Sequence, residues 1–191
     1  MSKFKKKDSE LISEKRYNEG ILANGEKLSK SDKIFASIGT LEELNAYIGL
    51  VKSQNFNLQQ SSKMFFIARL TQIQETVLSM INSLSTSKKN PEQYEKSRFS
   101  KIADRNITEL QTEIDKQASD TGLEKKDYLM ILPGQSQLQS QLLYTRTIVR
   151  RAERQILASK NQFLGLVPEE HILRYLNVLG DYFLYVANSK N

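Results

Sequence analysis

The sequence contains no cysteine, and only one of its 191 residues is a histidine. Disulfide frameworks and thiolate chemistry are therefore excluded, and the usual zinc and iron ligand sets cannot be assembled. A transition metal would have to arrive inside a cofactor. Proline and glycine are also scarce, at 3 and 8 residues, and this composition favours helix.

Long apolar runs are missing as well. No stretch approaches the length of a membrane span, and the first seven residues lack the apolar region of a secretory signal. We expect an intracellular protein without membrane insertion, and the choice between cytoplasm and mitochondrial matrix stays open.

The basic charge is concentrated at the start of the chain. The formal net charge is +6, but Lys3, Lys5, Lys6 and Lys7 supply four of these charges and leave +2 for the rest. A nucleic-acid-binding protein normally carries its basic excess on the folded part. We therefore expect no nucleic-acid partner, and we interpret the lysine-rich start as a solvated tail.

The length fits one domain with one core. We interpret residues 1–26 as a polar tail and a loop, and residues 27–191 as a helical domain. Apolar periodicity predicts helices at about 40–55, 60–85, 102–118 and 136–160, and a last helix that begins near residue 168. Thr40 and Glu43 have the spacing of a capping box at the first of these. No strand pattern is evident, so the expected fold is an all-α bundle of about five helices.

The fourth predicted helix carries Arg146, Arg150 and Arg154 at four-residue spacing, which places the three guanidinium groups on one face. The apolar residues gather on a different side; they are Leu138, Leu142, Ile148, Val149, Ala152 and Ile156. Arginine forks suit phosphate oxygens. The pattern also fits a solvated face on which Glu153 forms ion pairs along the helix, and the residues alone leave both interpretations open.

The last predicted helix is apolar nearly all round except for one polar stripe. The stripe consists of Arg174, Asn177, Asp181 and Asn188. A polar stripe on a buried helix must be satisfied by hydrogen bonds to a neighbouring helix or subunit, or by a ligand. Both alternatives stay open at this point.

Three segments together resemble the PduO-type ATP:cob(I)alamin adenosyltransferases. Residues 38–49 (IGTLEELNAYIG) are similar to the family's G-T-x-D-E-L-N-x-x-I-G. Residues 131–134 (ILPG) and 146–154 (RTIVRRAER) are similar to its L-P-G segment and its A-R-T-x-x-R-R-A-E-R signature. Residues 175–183 (YLNVLGDYF) are similar to Y-L-N-x-L-S-D-Y-L/F. The order and the approximate spacing match across residues 27–188, so the combination is specific although each block alone is weak.

The resemblance implies a five-helix bundle, usually a homotrimer with active sites between subunits. Such a protein transfers the 5′-deoxyadenosyl group of ATP, bound with Mg²⁺, to the reduced cobalt of a corrinoid such as cobalamin. Because the cobalt is itself the nucleophile, the protein has to hold the triphosphate and align the ribose carbon.

The resemblance also implies roles for individual residues. The catalytic set is Arg150, Arg146 and Glu42, with Arg150 on phosphate and Arg146 paired with Glu42 near the corrinoid. The nucleotide-binding set is Lys30, Arg150, Glu153, Arg154 and Asn177. Met130 and Asp181 fall on the corrinoid side.

The departures from the family pattern lie at functional places. The family's phosphate-binding T-G-D-x-G-x-T loop is replaced by residues 16–22 (RYNEGIL), where Glu19 adds negative charge. Met130 replaces an aromatic residue, Glu42 replaces a shorter acid, and Leu143 stands where a histidine is frequent. The altered loop and Met130 support the alternative of a catalytically degenerate member that serves as a structural or interaction subunit. The retained residues support the enzyme, which stays the first interpretation; they are Arg146, Arg150, Glu153, Arg154 and Asn177. A metal-binding four-helix bundle is disfavoured because the carboxylate and histidine motifs are missing, and an RNA-binding one is disfavoured because the folded part is only slightly basic.

Overall fold

The computed structural model describes residues 17–23, 25–54, 59–85, 102–122, 124–159 and 169–189. These residues form β1 (Glu19–Ile21), β2 (Lys27–Ser29), α1 (Lys33–Ser53), α2 (Gln60–Ser85), α3 (Asp104–Thr121), α4 (Lys125–Leu129), α5 (Gln137–Ala158) and α6 (Glu169–Ala187). The five long helices confirm the predicted bundle of about five helices, and α4 is a short addition. None of the described helices combines the length and apolarity needed to cross a bilayer. The predicted lysine-rich tail lies outside the described residues.

A two-stranded antiparallel hairpin precedes the bundle. Glu19 pairs with Ser29 and Ile21 pairs with Lys27. Gly25 has a φ of 83° in the connecting turn, a conformation that glycine adopts without strain. The expectation of a loop without strands is therefore wrong for this segment. Each strand has only three residues, which is too short for an alternating pattern to be recognised in the sequence.

The hairpin is attached to the bundle. Leu22, the residue after β1, is 5% exposed and belongs to the hydrophobic core. The pairing of β1 with β2 also crosses the predicted boundary between residues 26 and 27. The hairpin and the helices therefore share one core.

Helix α1 begins well before the predicted start near residue 40. Asp32 occupies its N-cap position, without a side-chain hydrogen bond. Thr40 lies inside the helix, and its Oγ1 donates a hydrogen bond to a carbonyl oxygen one turn earlier at 2.8 Å. The predicted capping box of Thr40 and Glu43 is therefore wrong. The buried side chain of Ile34 extends the apolar face, and with it the helix, toward the N-terminus.

The long helices share a single core. Helix α6 packs against α5 and α3, and α1 packs against α5 and α2. The fully buried side chains between them include Leu41, Leu44, Ile48, Leu70, Ile73, Val77, Met80, Leu142, Ile148, Val149, Leu176, Leu179 and Phe183. Burying a side chain of this size stabilises the fold by roughly 1.5–3 kcal/mol. Helix α6 is central, and its side chains are buried on most sides.

A charged cluster connects α2, α3 and α6. Arg69 Nη1 lies 2.8 Å from Glu109 Oε2, and Arg69 Nη2 lies 2.6 Å from Glu113 Oε1. Burial opposes the charge on Arg69, but the two carboxylates raise its pKa. Burial is also the main cause of the raised pKa of Tyr182, whose hydroxyl bonds to Glu113. These polar groups are thus satisfied against one another at a partly buried contact.

Candidate active site

Helix α5 presents separate apolar and cationic faces, as its spacing predicts. Ser136 caps the helix, because its Oγ accepts a hydrogen bond from the backbone N–H of Gln139 at 3.1 Å. Arg146 and Arg150 are half-buried, whereas Arg154 is exposed. The core side of the same helix buries Leu142, Ile148, Val149, Ala152 and Ile156.

The guanidinium group of Arg150 lies between α5 and α6. Its Nη1 donates a hydrogen bond to Asn177 Oδ1 at 3.1 Å. The same nitrogen lies 2.6 Å from Glu153 Oε2, and the two form an ion pair. Their relative orientation does not meet the angles of a hydrogen bond, so Glu153 Oε2 is buried without a hydrogen-bond partner. The stem of Arg150 passes close to Gly180, where an added Cβ would lie 3.3 Å from Arg150 Cδ. Three of the residues implied to bind nucleotide are therefore together.

Arg146 and Glu42 are not paired in the single chain. Arg146 Nε is buried without a hydrogen-bond partner, and the described residues contain no ion pair between Arg146 and Glu42. The neighbouring acid, Glu43, instead forms an ion pair with Arg151. Both members of that pair are less than half exposed. A buried guanidinium nitrogen without a partner is uncommon, so Arg146 is a candidate contact for another molecule.

The hairpin brings Lys30 to the altered N-terminal loop. The backbone N–H of Lys30 donates to the Asn18 carbonyl oxygen at 2.7 Å. The side chains of Glu19 and Lys30 are both exposed. A Cβ on Gly20 would lie 2.4 Å from Cζ of Phe35, so the packed ring or the strand would have to shift for any larger residue. Asn18, Glu19, Gly20 and Lys30 thus form one compact surface.

The short helix α4 connects Asp181 to the segment that contains Met130. Lys125 Nζ lies 2.5 Å from Asp181 Oδ2, and this ion pair fixes the start of α4 against α6. Met130 follows the end of α4 and is 83% exposed, and Leu132 is 80% exposed. The two residues implied on the corrinoid side therefore belong to one structural unit at the surface.

The polar stripe of α6 is satisfied by side chains of other helices. The pairs are Arg174 with Asp104 (3.7 Å), Asn177 with Arg150 (3.1 Å), Asp181 with Lys125 (2.5 Å) and Asn188 with Gln139 (3.0 Å). Contacts between helices thus account for the stripe within the chain. The two central pairs also involve the residues implied to bind ligands.

Two contacts of this region were missed by sequence reasoning. Gln139 is 3% exposed and bonds to the loop before α5, and Lys125 pairs with Asp181. Neither contact leaves a periodic signal: Lys125 and Asp181 are distant in sequence, and the bonds of Gln139 go to the backbone of an irregular loop. The part of the chain that the structure describes contains no cluster of histidine and carboxylate groups that could hold a metal ion.

Comparison with known proteins relates this geometry to a family. A family model described as cobalamin adenosyltransferase matches residues 18–189. This chain belongs to the cobalamin adenosyltransferase family. It is 32% identical over 168 residues to the corrinoid adenosyltransferase of Bacillus subtilis, covering 87% of this chain and 79% of that protein.

Longer relatives in the same family contain additional sequence. The chain is 30% identical to the corrinoid adenosyltransferase PduO of Citrobacter freundii over 89% of its own length, but it spans only 46% of that protein. It is 27% identical to the human corrinoid adenosyltransferase MMAB, of which it spans 61%.

Solved structures of the cobalamin adenosyltransferase family have the same fold. A variant PduO-type ATP:corrinoid adenosyltransferase from Lactobacillus reuteri, complexed with cobalamin and ATP, superposes with a TM-score of 0.73 at 29% identity. The match covers 93% of this chain and 89% of that one. A second variant, complexed with ATP, gives a TM-score of 0.70 at 28% identity, over 92% and 91% of the two chains.

Proposed function

We propose that this chain is an ATP:corrinoid adenosyltransferase that forms adenosylcobalamin. The observation that carries this proposal is the cluster of Arg150, Glu153 and Asn177 between α5 and α6. It stands in a chain whose family and whose structural relatives are adenosyltransferases. The reduced cobalt of the corrinoid substrate donates an electron pair to C5′ of ATP. The C5′–O bond then breaks, and triphosphate leaves with the bonding pair.

The chain's own residues bind and orient the nucleotide in this proposal. Arg150 binds triphosphate oxygens, because a guanidinium can donate two parallel hydrogen bonds to a phosphate group. Asn177 and Glu153 hold that guanidinium in place, and Arg154 adds positive charge from the exposed end of the row. Mg²⁺ enters with the triphosphate and neutralises part of its charge.

The hairpin supplies the other side of the phosphate site. Lys30 extends from the turn after β2, and its backbone is bonded to Asn18 in the altered loop. The hairpin carries both the positive charge of Lys30 and the negative charge of Glu19, and both side chains are exposed. We therefore expect the altered loop to contribute less to nucleotide affinity than the arginine cluster does.

Met130, Asp181 and Arg146 define the corrinoid side. Met130 supplies an exposed apolar side chain, and Asp181 anchors α4 through Lys125. A flexible thioether can pack against an irregular apolar surface such as the corrin ring.

We also propose that the active enzyme is a homotrimer with its sites between subunits. The support is that Arg146 Nε is buried without a partner while Glu42 is exposed. An ion pair between Glu42 of one copy and Arg146 of a neighbouring copy would satisfy the buried guanidinium. It would also place the corrinoid side of one chain next to the nucleotide side of another. An intracellular location, in the cytoplasm or the mitochondrial matrix, also stays a proposal.

The alternative of a degenerate subunit receives no support from the comparisons, because the relatives reported above are named as adenosyltransferases. The deciding experiment is a calorimetric titration with Mg-ATP, followed by spectroscopic detection of adenosylcobalamin after cobalamin is added under reducing conditions. We expect saturable ATP binding and adenosylcobalamin formation.

The matched variants are Arg150→Ala and Arg105→Ala, because Arg105 is an exposed arginine on α3, whereas the cluster lies between α5 and α6. We expect Arg150→Ala to abolish nucleotide binding with unchanged helical circular dichroism, and Arg105→Ala to behave like the unaltered chain. A folded protein that gives no heat with ATP would overturn the proposal. An Arg150→Ala chain that fails to fold would show that this arginine is structural.

A further inference from the structure

The carboxamide of Gln139 is a buried connection between two parts of the chain. Its side chain is 3% exposed, although it lies in the first turn of α5. Its Oε1 accepts hydrogen bonds from two consecutive backbone N–H groups, those of Gly134 at 3.2 Å and Gln135 at 2.9 Å. Its Nε2 donates to Asn188 Oδ1 at 3.0 Å. Both ends of the carboxamide are therefore satisfied, and its orientation is fixed.

Asn188 connects this carboxamide to the end of α6. Its Nδ2 donates to the Leu184 carbonyl oxygen at 2.8 Å, which orients the Oδ1 atom toward Gln139. Asn188 directly follows the last residue of α6. The loop before α5 is thus tied through two side chains to the C-terminal end of the central helix.

Within the loop from Met130 to Gln135, Ile131 packs against the hydrophobic core. The side chains of Met130 and Leu132 are 83% and 80% exposed, so their burial does not hold the loop. Gly134 has a φ of 111°, a conformation open to glycine. Consecutive N–H groups of this kind form a concavity that commonly binds anions. Here a neutral carbonyl oxygen fills it, so the loop is ordered before any ligand binds.

We propose that Gln139 is a positioning residue for adenosyl transfer. It holds residues 130–135 in the conformation that receives the corrinoid. Because the loop is already ordered, the entropy cost of ordering it does not reduce the affinity for the corrinoid. This inference rests on the proposed function, in which Met130 lies on the corrinoid side. The Arg150 cluster is not part of this hydrogen-bond network, so ATP affinity does not depend on Gln139.

The test uses the full chain and three variants. Gln139→Ala removes the carboxamide. In Gln139→Glu the buried carboxyl is favoured in its protonated form, which accepts from the two N–H groups and donates to Asn188 Oδ1. Gln137→Ala is the matched control, because Gln137 is an exposed glutamine two positions earlier on the same helix. Two readouts are needed: amide hydrogen exchange at Gly134 and Gln135, and the KM values for corrinoid and for ATP measured separately.

For Gln139→Ala we expect exchange at both amides to be at least about fivefold faster, the effect of losing one net hydrogen bond. The corrinoid KM should rise by a similar factor while the ATP KM stays unchanged. Gln139→Glu should bring both the amide exchange rates and the corrinoid KM most of the way back to the values of the unaltered chain. Gln137→Ala should match the unaltered chain in both. Unchanged exchange, or equal shifts in both KM values, would overturn the proposal.

Two further outcomes are distinguishable. If the unaltered chain forms no adenosylcobalamin, the proposed function fails, and with it the role of Gln139 in adenosyl transfer; hydrogen exchange then reports only whether Gln139 orders the loop. If Gln139→Ala does not fold, Asn188→Ala takes its place, because it releases the carboxamide from α6 but leaves the loop bonds possible. For Asn188→Ala we expect the corrinoid KM to rise by less than the factor expected for Gln139→Ala, while the ATP KM stays unchanged. An unchanged corrinoid KM would contradict the positioning role.

Discussion

Arg150 on α5 donates a hydrogen bond from Nη1 to Asn177 Oδ1 on α6 across 3.1 Å. The ion pair with Glu153 uses the same nitrogen. Both contacts therefore lie on one edge of the guanidinium, and neither engages the Nε and Nη2 edge. That second edge carries parallel N–H groups of the kind that bind a phosphate in bidentate fashion. The contact thus orients the fork and leaves its binding edge available.

The first prediction concerns this orientation. Arg150→Lys retains a positive charge. However, a lysine ammonium cannot bond to Asn177 and at the same time donate two parallel hydrogen bonds to a phosphate. We expect the Kd for ATP to rise about 10- to 100-fold, as for the loss of one charged hydrogen bond. Calorimetry with Mg-ATP measures this change, with Arg105→Lys as the control. An Arg150→Lys chain with unaltered affinity would show that only charge matters at this position.

The second prediction concerns assembly. Glu42→Arg should place like charges opposite Arg146 of a neighbouring copy and raise the dissociation constant of the proposed trimer at least about tenfold. The double variant Glu42→Arg with Arg146→Glu restores opposite charges and should recover assembly. Light scattering coupled to size exclusion gives the oligomeric mass, and Glu170→Arg on exposed α6 surface is the control. Assembly that is insensitive to Glu42→Arg would argue against this pairing.

Sequence periodicity located the long helices well where apolar residues recur without interruption. Helix α2 spans Gln60–Ser85, the predicted range, and α5 begins and ends within two residues of its prediction. The start of α1 was misplaced, because Thr40 and Glu43 fit a capping box equally well inside a helix. The hairpin was missed because three-residue strands are stabilised by their cross-strand pairing and leave no recognisable period.

The sequence predicted only some of the contacts in the candidate site. Resemblance placed Arg150, Glu153 and Asn177 in one pocket, and the structure brings them into contact. The bond between Gln139 and Asn188 could not be predicted, because a buried amide pair has neither spacing nor charge to mark it. Arg146 and Glu42 are not paired within one copy, so their proposed ion pair needs a second copy of the chain.

The third prediction concerns the hairpin. Gly20→Ala would bring a Cβ to 2.4 Å from the ring of Phe35, so the ring or the strand must move. We expect a loss of about 1–3 kcal/mol in the free energy of unfolding, measured by urea denaturation. Adding Phe35→Leu should recover part of that loss by making room. Gly25→Asn is the comparison, because nothing lies within 4 Å of a Cβ at Gly25 and asparagine tolerates its positive φ. A fully stable Gly20→Ala chain would mean that the ring moves freely.

The last prediction concerns alkaline pH. Burial raises the pKa of both Tyr175 and Tyr182, so their neutral forms are favoured in the folded state. An unfolded tyrosine ionises near pH 10, so this contribution to stability is complete below that pH and is lost as the pH rises above it. Each buried tyrosine should then weaken the fold by up to about 1.4 kcal/mol per pH unit. Tyr175→Phe should make the decline between pH 10 and 11 shallower. It should also cost about 1 kcal/mol at neutral pH, because the bond to Thr76 is lost. Tyr17→Phe, at a position that is 72% exposed, is the control. An equally steep decline in Tyr175→Phe would show that this hydroxyl is not held neutral by the fold.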